Sequence, residues 1–99
     1  MWIVYSRNGV PVRLTDERWR HIVEEHGELA GLRLEVLESV ANPDIILEGG
    51  HGEKLAERGI EAGRWLIVAY REQEADGFII TAFSTTRAGF MERRKKLWP

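Results

Sequence analysis

Three side chains of the 99-residue sequence are candidates for acid–base or phosphate chemistry, namely His26, Lys54 and Arg58. Histidine titrates near neutrality and is a common general acid or base. Lys54 and Arg58 fall on one face of a predicted strand with only Ala56 between them, which leaves room for a phosphate. The alternative for His26 is a core histidine that hydrogen-bonds a backbone carbonyl. The alternative for the two cations is the solvated face of an edge strand.

A second set of polar residues lies in and just after the most apolar part of the chain. The set is Tyr70, Thr81, Ser84, Thr85 and Arg87. Polar groups on otherwise apolar strands need a partner when they are buried. The hydroxyls of Thr81 and Thr85 share one face of a strand end, where they either hold a phosphate oxygen or terminate the strand. Arg87 follows directly and would neutralise such a phosphate.

Metal and nucleotide-loop chemistry has little support in the sequence. The chain has no cysteine, which excludes disulfides, thiol catalysis and cysteine zinc sites. His21 and Glu25 have i, i+4 spacing, but the HExxH pattern is absent. The glycine-rich residues 49–54 lack the spacing of a P-loop. We therefore expect neither a metal ion nor a cofactor.

These side chains must be positioned by a central β-hairpin. Residues 64–71 and 77–85 read as two strands joined by a polar turn. Trp65 and Ile67 point to one side of the first strand and Leu66 and Val68 to the other, so both faces are apolar. Such a strand belongs in the middle of a sheet with something covering each side. We predict an antiparallel sheet of about four strands around this hairpin.

The elements before and after the hairpin complete an α+β domain. Asn8-Gly9 predicts an N-terminal hairpin. Thr15 is the expected N-cap of a first helix that ends near His26, with His26 facing inward and His21 outward. A second helix over residues 31–41 is ended by Asn42-Pro43. We expect strands at residues 44–48 and 53–58 and a short basic helix at residues 88–97.

Composition indicates one soluble domain over residues 1–99. No apolar run approaches the length of a membrane helix and no signal peptide is visible, so we expect a cytoplasmic protein with no membrane partner. The net charge of −2 gives no general attraction to nucleic acid. From Arg87 onward, however, five basic residues stand against one acid, so the chain has a basic end on an acidic body.

The order of these segments resembles a known group of nucleases. The run RLTDERWRHIVEEH is followed by a second helix that ends in Asn-Pro-Asp. The strands WLIVAYRE and DGFIITAFSTTR come next, and a basic segment ending in Leu-Trp closes the pattern. From about Arg13 to Trp98, this pattern is similar to small phage and prokaryotic domains of the barnase–EndoU–colicin–RelE group.

The resemblance implies a metal-independent ribonuclease in which the RNA 2′-hydroxyl attacks the adjacent phosphate. It implies two helices packed on a four-stranded antiparallel sheet. By position, His26 would be the acid or base, and Lys54, Arg58 and Arg87 would clamp the phosphate. Tyr70 would stack on a base or share proton transfer, while Thr81 and Thr85 would supply hydroxyl contacts.

Two functional hypotheses follow. In the first, the chain is an RNA-cleaving enzyme, such as a phage-derived effector or a toxin with a cognate antitoxin. In the second, it is a non-catalytic module of the same fold that binds protein or nucleic acid through its basic end. In that case His26 would be a replaceable core residue.

Overall fold

The computed structural model describes residues 1–86 and 93–99 and confirms the predicted α+β class. In these residues the helices are α1 (Asp16–Glu25) and α2 (Arg33–Ala41), with a 3₁₀ turn at Gly27–Leu29 between them. The strands are β1 (Trp2–Tyr5), β2 (Pro11–Leu14), β3 (Ile45–Glu48), β4 (Lys54–Glu61), β5 (Arg64–Gln73), β6 (Asp76–Thr85) and β7 (Lys96–Trp98). Within the described ranges, no helix is long and apolar enough to cross a membrane.

Local signals set the helix boundaries. The Thr15 hydroxyl accepts a hydrogen bond from the Arg18 backbone N–H at 3.0 Å, so Thr15 is the N-cap of α1 as predicted. The second helix begins two residues later than predicted, at Arg33, because the 3₁₀ turn and its continuation occupy the chain up to Leu32. It ends at Ala41, and its C-cap is Asn42, the residue before Pro43, where helical geometry is disfavoured.

The sheet is larger than the predicted four strands. Across the described residues its order is β1-β2-β6-β5-β4-β3-β7, and every neighbouring pair is antiparallel except β2 and β6. The predicted N-terminal hairpin is present, with Gly9 at φ 78° in its turn, but it joins the central sheet through a parallel contact. Gly77 permits this contact because a Cβ there would overlap the Arg71 carbonyl and press on Val12.

The predicted C-terminal helix at residues 88–97 is wrong for its last residues. Lys96–Trp98 form β7, which pairs with β3 at Ile46 and Leu47. A backbone hydrogen bond from Glu48 N–H to the Lys95 carbonyl, at 2.8 Å, extends the contact. The exposed edge of β3 offers unpaired backbone groups, and pairing with them satisfies both segments. Residues 87–92 lie outside the described residues.

The central strand β5 has two buried faces, as its sequence predicts. Leu66 and Val68 belong to the core beneath α1 and α2, together with Ile22 of α1 and Val36 of α2. On the opposite face, Ile67 joins a second apolar cluster. The other buried members of that cluster are Leu47, Leu55 and Ala69. The sheet is therefore apolar on both sides at its centre, which leaves its ends and edges for polar chemistry.

The two outer parts of the sheet approach each other at one end. The turn between β1 and β2 belongs to one edge and β7 is the opposite edge strand, yet the Arg7 guanidinium carbon lies 4.2 Å from the centroid of the Trp98 ring. The same turn hydrogen-bonds to β5, since Asn8 donates to the Glu72 carboxylate at 2.9 Å. We call this region the turn end. The sheet is thus curved strongly enough for its edges to meet there.

We expect Leu66→Ala to lower the free energy of unfolding by about 2–5 kcal/mol, because it opens a cavity at a site with no solvent exposure. Leu34→Ala is the matched control, since Leu34 is 67% exposed and its loss should change stability by less than about 0.5 kcal/mol. Urea denaturation of both variants measures the difference. Equal effects would contradict the core described for β5.

Candidate functional site

His26 lies at the edge of the sheet, where α1 ends. Its backbone N–H donates to the Ile22 carbonyl at 2.7 Å, which closes the last turn of α1, and its own carbonyl accepts from Leu29 at 3.0 Å. The half-buried imidazole lies 6.1 Å from the Phe83 ring, centroid to centroid. β2 pairs with β6 only at Gly77 and Phe78, near the start of β6. The 3₁₀ turn packs against the later part of β6, which includes Phe83.

Three polar side chains extend from His26 along this edge. Ser84 of β6 donates a hydrogen bond to the Glu28 carboxylate at 3.3 Å. Arg64, at the start of β5, donates to the Ser84 hydroxyl at 3.2 Å and forms an ion pair with Glu61 at 3.1 Å. We call His26, Glu28, Arg64 and Ser84 the His26 cluster. It combines an imidazole, a carboxylate, a guanidinium and a hydroxyl from four separate elements.

The His26 cluster is electrostatically coupled. The pKa of Glu28 is lowered, first by its own backbone N–H, then by the backbone and hydroxyl of Ser84, and also by His26, while partial burial opposes the shift. Glu28 is therefore an ionised carboxylate at neutral pH, and its charge interacts electrostatically with the His26 imidazole. The cluster therefore has an ionised carboxylate on the same sheet edge as an imidazole, a group that can act as an acid or a base.

Sequence analysis did not find Glu28 or Arg64. Glu28 lies in a short turn with no distinctive pattern, and Arg64 was assigned only as the first residue of a strand. The one available signal was the hairpin register: Leu66 pairs with Ser84, so Arg64, two residues earlier on the same face, lies near the Ser84 hydroxyl. Contact with Glu28 depends on how the 3₁₀ turn packs on β6.

Lys54 and Arg58 share a face of β4, as predicted, but they do not converge on one point. Four residues separate them, which is about 13 Å along a strand. Arg58 donates to the backbone carbonyl of Asn42 and so satisfies a carbonyl at the end of α2. Lys54 instead lies at the turn end, 3.6 Å from the Glu72 carboxylate. One phosphate cannot contact both ammonium and guanidinium in this arrangement.

Glu72 organises a second group of polar side chains at the turn end. Its side chain is only 9% exposed. It accepts hydrogen bonds from the Ser6 hydroxyl and from Asn8, and Lys54 supplies its counter-charge. A buried carboxylate requires partners of this kind. Glu72 was predicted to lie in the polar turn of the central hairpin and was not among the predicted site residues.

Tyr70 is fully buried opposite Lys54 in the β4–β5 ladder. Within residues 1–86 and 93–99, its hydroxyl has no hydrogen-bond partner. Burial raises the pKa of Tyr70, and the Glu72 carboxylate raises it further. The phenol is therefore neutral at physiological pH. In this conformation its ring is not accessible for stacking on a base, which was one of the two roles suggested by the resemblance.

The predicted threonines lie on the other face of the sheet. Thr81 pairs with Ala69 and Thr85 with Trp65, on the side facing away from the helices. They share a face with each other, as predicted, but not with Tyr70 or Lys54. Arg87 lies outside the described residues. The six predicted site residues that the structure describes therefore do not form one cleft.

Glu57 is a carboxyl group on that same face, where it pairs with Ile45 and Ile67. Burial raises its pKa, and the nearby Asp44 carboxylate raises it further. Asp44 itself accepts a hydrogen bond from the Gly59 N–H at 2.8 Å. This carboxyl group is thus harder to ionise in the folded chain than in the unfolded one.

In the residues that are described, no three His, Cys, Asp or Glu side chains are grouped closely enough to hold a metal ion. Comparisons of the chain with protein-family models, with curated proteins and with solved structures find no match.

We expect Tyr70→Phe to raise the free energy of unfolding by about 1 kcal/mol, because it removes a buried hydroxyl that has no partner within the described ranges. Tyr5→Phe is the matched control, since Tyr5 is 64% exposed. Urea denaturation gives both values. A loss of stability in Tyr70→Phe would show instead that the hydroxyl makes a stabilising hydrogen bond.

We expect Glu57→Gln to raise the melting temperature at pH 7 but not at pH 3. A raised pKa means that the folded chain binds the proton more tightly than the unfolded chain. Ionisation of Glu57 therefore costs stability as pH rises through the carboxyl range, about pH 4 and above. Thermal denaturation at the two pH values measures the effect, with Glu25→Gln on the exposed surface of α1 as control. An equal rise in melting temperature at both pH values would show that the effect does not come from ionisation of Glu57.

Proposed function

We propose that the protein is a metal-independent ribonuclease whose acid–base centre is the His26 cluster. The observation that carries the proposal is the grouping of a half-buried histidine, an ionised carboxylate, a guanidinium and a hydroxyl at one edge of the sheet. The resemblance to the barnase–EndoU–colicin–RelE group supports the same chemistry from the order of the segments. RNA is the corresponding partner.

In the proposed reaction, the Glu28 carboxylate takes the proton from the RNA 2′-hydroxyl. The 2′-oxygen then attacks the adjacent phosphorus, and the bond from phosphorus to the 5′-oxygen breaks. Protonated His26 gives its proton to that leaving oxygen, so the products are a 2′,3′-cyclic phosphate and a 5′-hydroxyl. Arg64 is positioned to stabilise the added charge on the non-bridging oxygens, and Ser84 to donate a hydrogen bond.

The ion pair of Arg64 with Glu61 is compatible with this role. A guanidinium has five N–H donors, and the contacts to Glu61 and Ser84 use different nitrogens of Arg64. Donors therefore remain for a phosphate oxygen. Arg58, by contrast, is bonded to the end of α2, and Lys54 lies at the turn end, so neither belongs to this centre.

We expect His26→Ala to reduce the rate of RNA cleavage by about 10²- to 10⁴-fold, the usual contribution of a general acid or base. The assay uses a labelled RNA oligonucleotide in EDTA and identifies cyclic phosphate ends in the products. His21→Ala is the matched control, because His21 is exposed and contacts only Glu17 and Glu24 within the described residues, each at 3.8 Å. Melting temperatures verify that both variants fold.

Glu28→Gln should lose cleavage to a similar degree, since it keeps the shape of the side chain but removes the proton acceptor. An oligonucleotide with a single 2′-deoxyribose at the cleavage site should resist the wild-type enzyme. Cleavage that survives in His26→Ala, or that proceeds at the deoxy position, would refute the mechanism. Absence of RNA cleavage by the wild-type protein would refute the proposal that it is a ribonuclease.

The exposed basic residues at the start of β7 favour the second hypothesis, a nucleic-acid-binding module without catalysis. Arg93, Arg94, Lys95 and Lys96 are all exposed, and within the described part of the chain none forms an ion pair. Such a cluster binds a polyanion whether or not a reaction follows. RNA binding by a wild-type protein that does not cleave would support this second function.

A further inference from the structure

The turn end contains a cavity of about 210 Å³ that none of the proposed chemistry uses. It lies where the curved sheet brings its two edges together, since one wall comes from the turn between β1 and β2 and the other from β7. The residues that line it are Arg7, Asn8, Ile46, Lys54, Leu97 and Trp98. Ligand sites are common where a curved sheet closes on itself.

Arg7 presents free hydrogen-bond donors at this cavity. Its guanidinium carbon lies 4.2 Å from the centroid of the Trp98 ring, so the indole holds the group by a cation–π contact. In residues 1–86 and 93–99, the Arg7 side chain has no hydrogen bond and no ion pair. Stacking occupies the face of the guanidinium and leaves the N–H groups at its rim for an anion.

Lys54 supplies a second cation, and an ion pair with a residue outside the cavity holds it in place. Its ammonium nitrogen lies 3.6 Å from the Glu72 carboxylate, and Glu72 does not line the cavity. Ser6 and Asn8 donate hydrogen bonds to the same carboxylate and hold it in position. An ammonium group has three donors, so Lys54 retains two for a ligand. The cavity therefore carries two cations against one buried carboxylate.

The chain next to the cavity is also basic. Residues 93–96 lead directly into Leu97 and Trp98, and the backbone of Lys95 is tied to β3 by the hydrogen bond from Glu48. A ligand that carries several negative charges would be attracted by this segment as well as by the cavity. This distribution favours a polyanion over an isolated small anion.

We propose that this cavity binds one internal phosphodiester of a single-stranded RNA. Arg7 and Lys54 bind the non-bridging oxygens, and the amide of Asn8 borders the phosphate. A water molecule occupies about 30 Å³, so the cavity has room for about seven waters. That space accommodates a phosphate group with part of its sugar. The net charge of +1 from Arg7, Lys54 and Glu72 matches the single negative charge of a diester.

The proposed phosphate site is distinct from the His26 cluster. Lys54 is four residues from Arg58, and Arg58 pairs with Leu66, which in turn pairs with Ser84. The two sites are thus about 13 Å apart along the strands and about 10 Å apart across them. One phosphate cannot contact both, so the cavity would hold RNA at a nucleotide other than the one cleaved. The choice of RNA as ligand rests on the proposed function.

The test is fluorescence anisotropy with a labelled RNA decamer that carries 2′-O-methyl groups throughout and so lacks the attacking hydroxyl. We expect Arg7→Ala to weaken binding about 10- to 100-fold, as loss of a hydrogen bond to a charged group does. Arg18→Ala is the control with the same charge change, since Arg18 is exposed on α1, and it should weaken binding less than about threefold. Equal weakening of RNA binding in Arg7→Ala and Arg18→Ala would overturn the proposal that the cavity binds the phosphate.

The role of Lys54 is tested with a single and a double variant, because Lys54→Met alone leaves the buried Glu72 without its counter-charge. The double variant with Lys54→Met and Glu72→Gln restores neutrality and serves if the single variant does not fold. We expect it to bind the decamer about 10-fold or more weakly than the wild type. Wild-type affinity in the folded double variant would overturn the role of Lys54.

The source of the phosphate is tested with a decamer that carries a 5′-phosphate. If the cavity binds an internal phosphodiester, the protein should bind the decamers with and without the 5′-phosphate with equal affinity. A gain of more than about tenfold would overturn the proposal in favour of a terminal phosphate. RNA cleavage by the wild type is measured separately. A wild type that binds through Arg7 but does not cleave refutes the ribonuclease alone, whereas cleavage with unchanged binding by Arg7→Ala refutes the phosphate site alone.

Discussion

Burial of both faces of β5 is the constraint on which the rest of the structure depends. Leu66 and Val68 need the helices above them, while Ile67 needs the second apolar cluster on the other side. A charged group on the centre of either face would be desolvated without a partner. Polar side chains that act on a ligand therefore have to collect at the edges and ends of the sheet. The His26 cluster and the turn end are two such places, one toward each end of β5.

The same constraint explains why Lys54 and Arg58 differ. They lie on one face of β4, and Ala56 between them is fully buried in the core under the helices. Each side chain must extend outward from that core toward the nearer end of the strand. Arg58 reaches the last turn of α2, where a backbone carbonyl needs a donor, and Lys54 reaches Glu72. The core thus separates Lys54 from Arg58, although the alternation of side chains along a strand predicts only that they share a face.

Sequence signals predicted the features that depend on near neighbours. The Thr15 cap, the Asn8-Gly9 hairpin and the two-faced apolar strand β5 were all evident from local pattern, and the structure confirms them. The parallel contact of β2 with β6 and the addition of β7 to β3 join segments far apart in the chain. Such pairings depend on which edges remain open after the hairpins form, and no local pattern records that. The roles of Arg58 and Tyr70 could not be foreseen for the same reason, since their surroundings come from α2 and from the turn end.

Charge is distributed over the surface in a way that the net value of −2 conceals. The exposed side of α1 carries four acids, Asp16, Glu17, Glu24 and Glu25, against the two cations Arg18 and Arg20, whereas the exposed residues 93–96, at the start of β7, are all basic. A polyanion is attracted to the second surface rather than to the first, so the proposed binding of RNA by a weakly acidic protein would occur in one orientation. Screening limits this effect to about 10 Å in 0.1 M salt, a distance comparable with the spacing of a few strands. In the proposed function, charges at the β7 edge would therefore act mainly on the phosphate groups nearest the turn end. The His26 cluster would attract its own phosphate through Arg64.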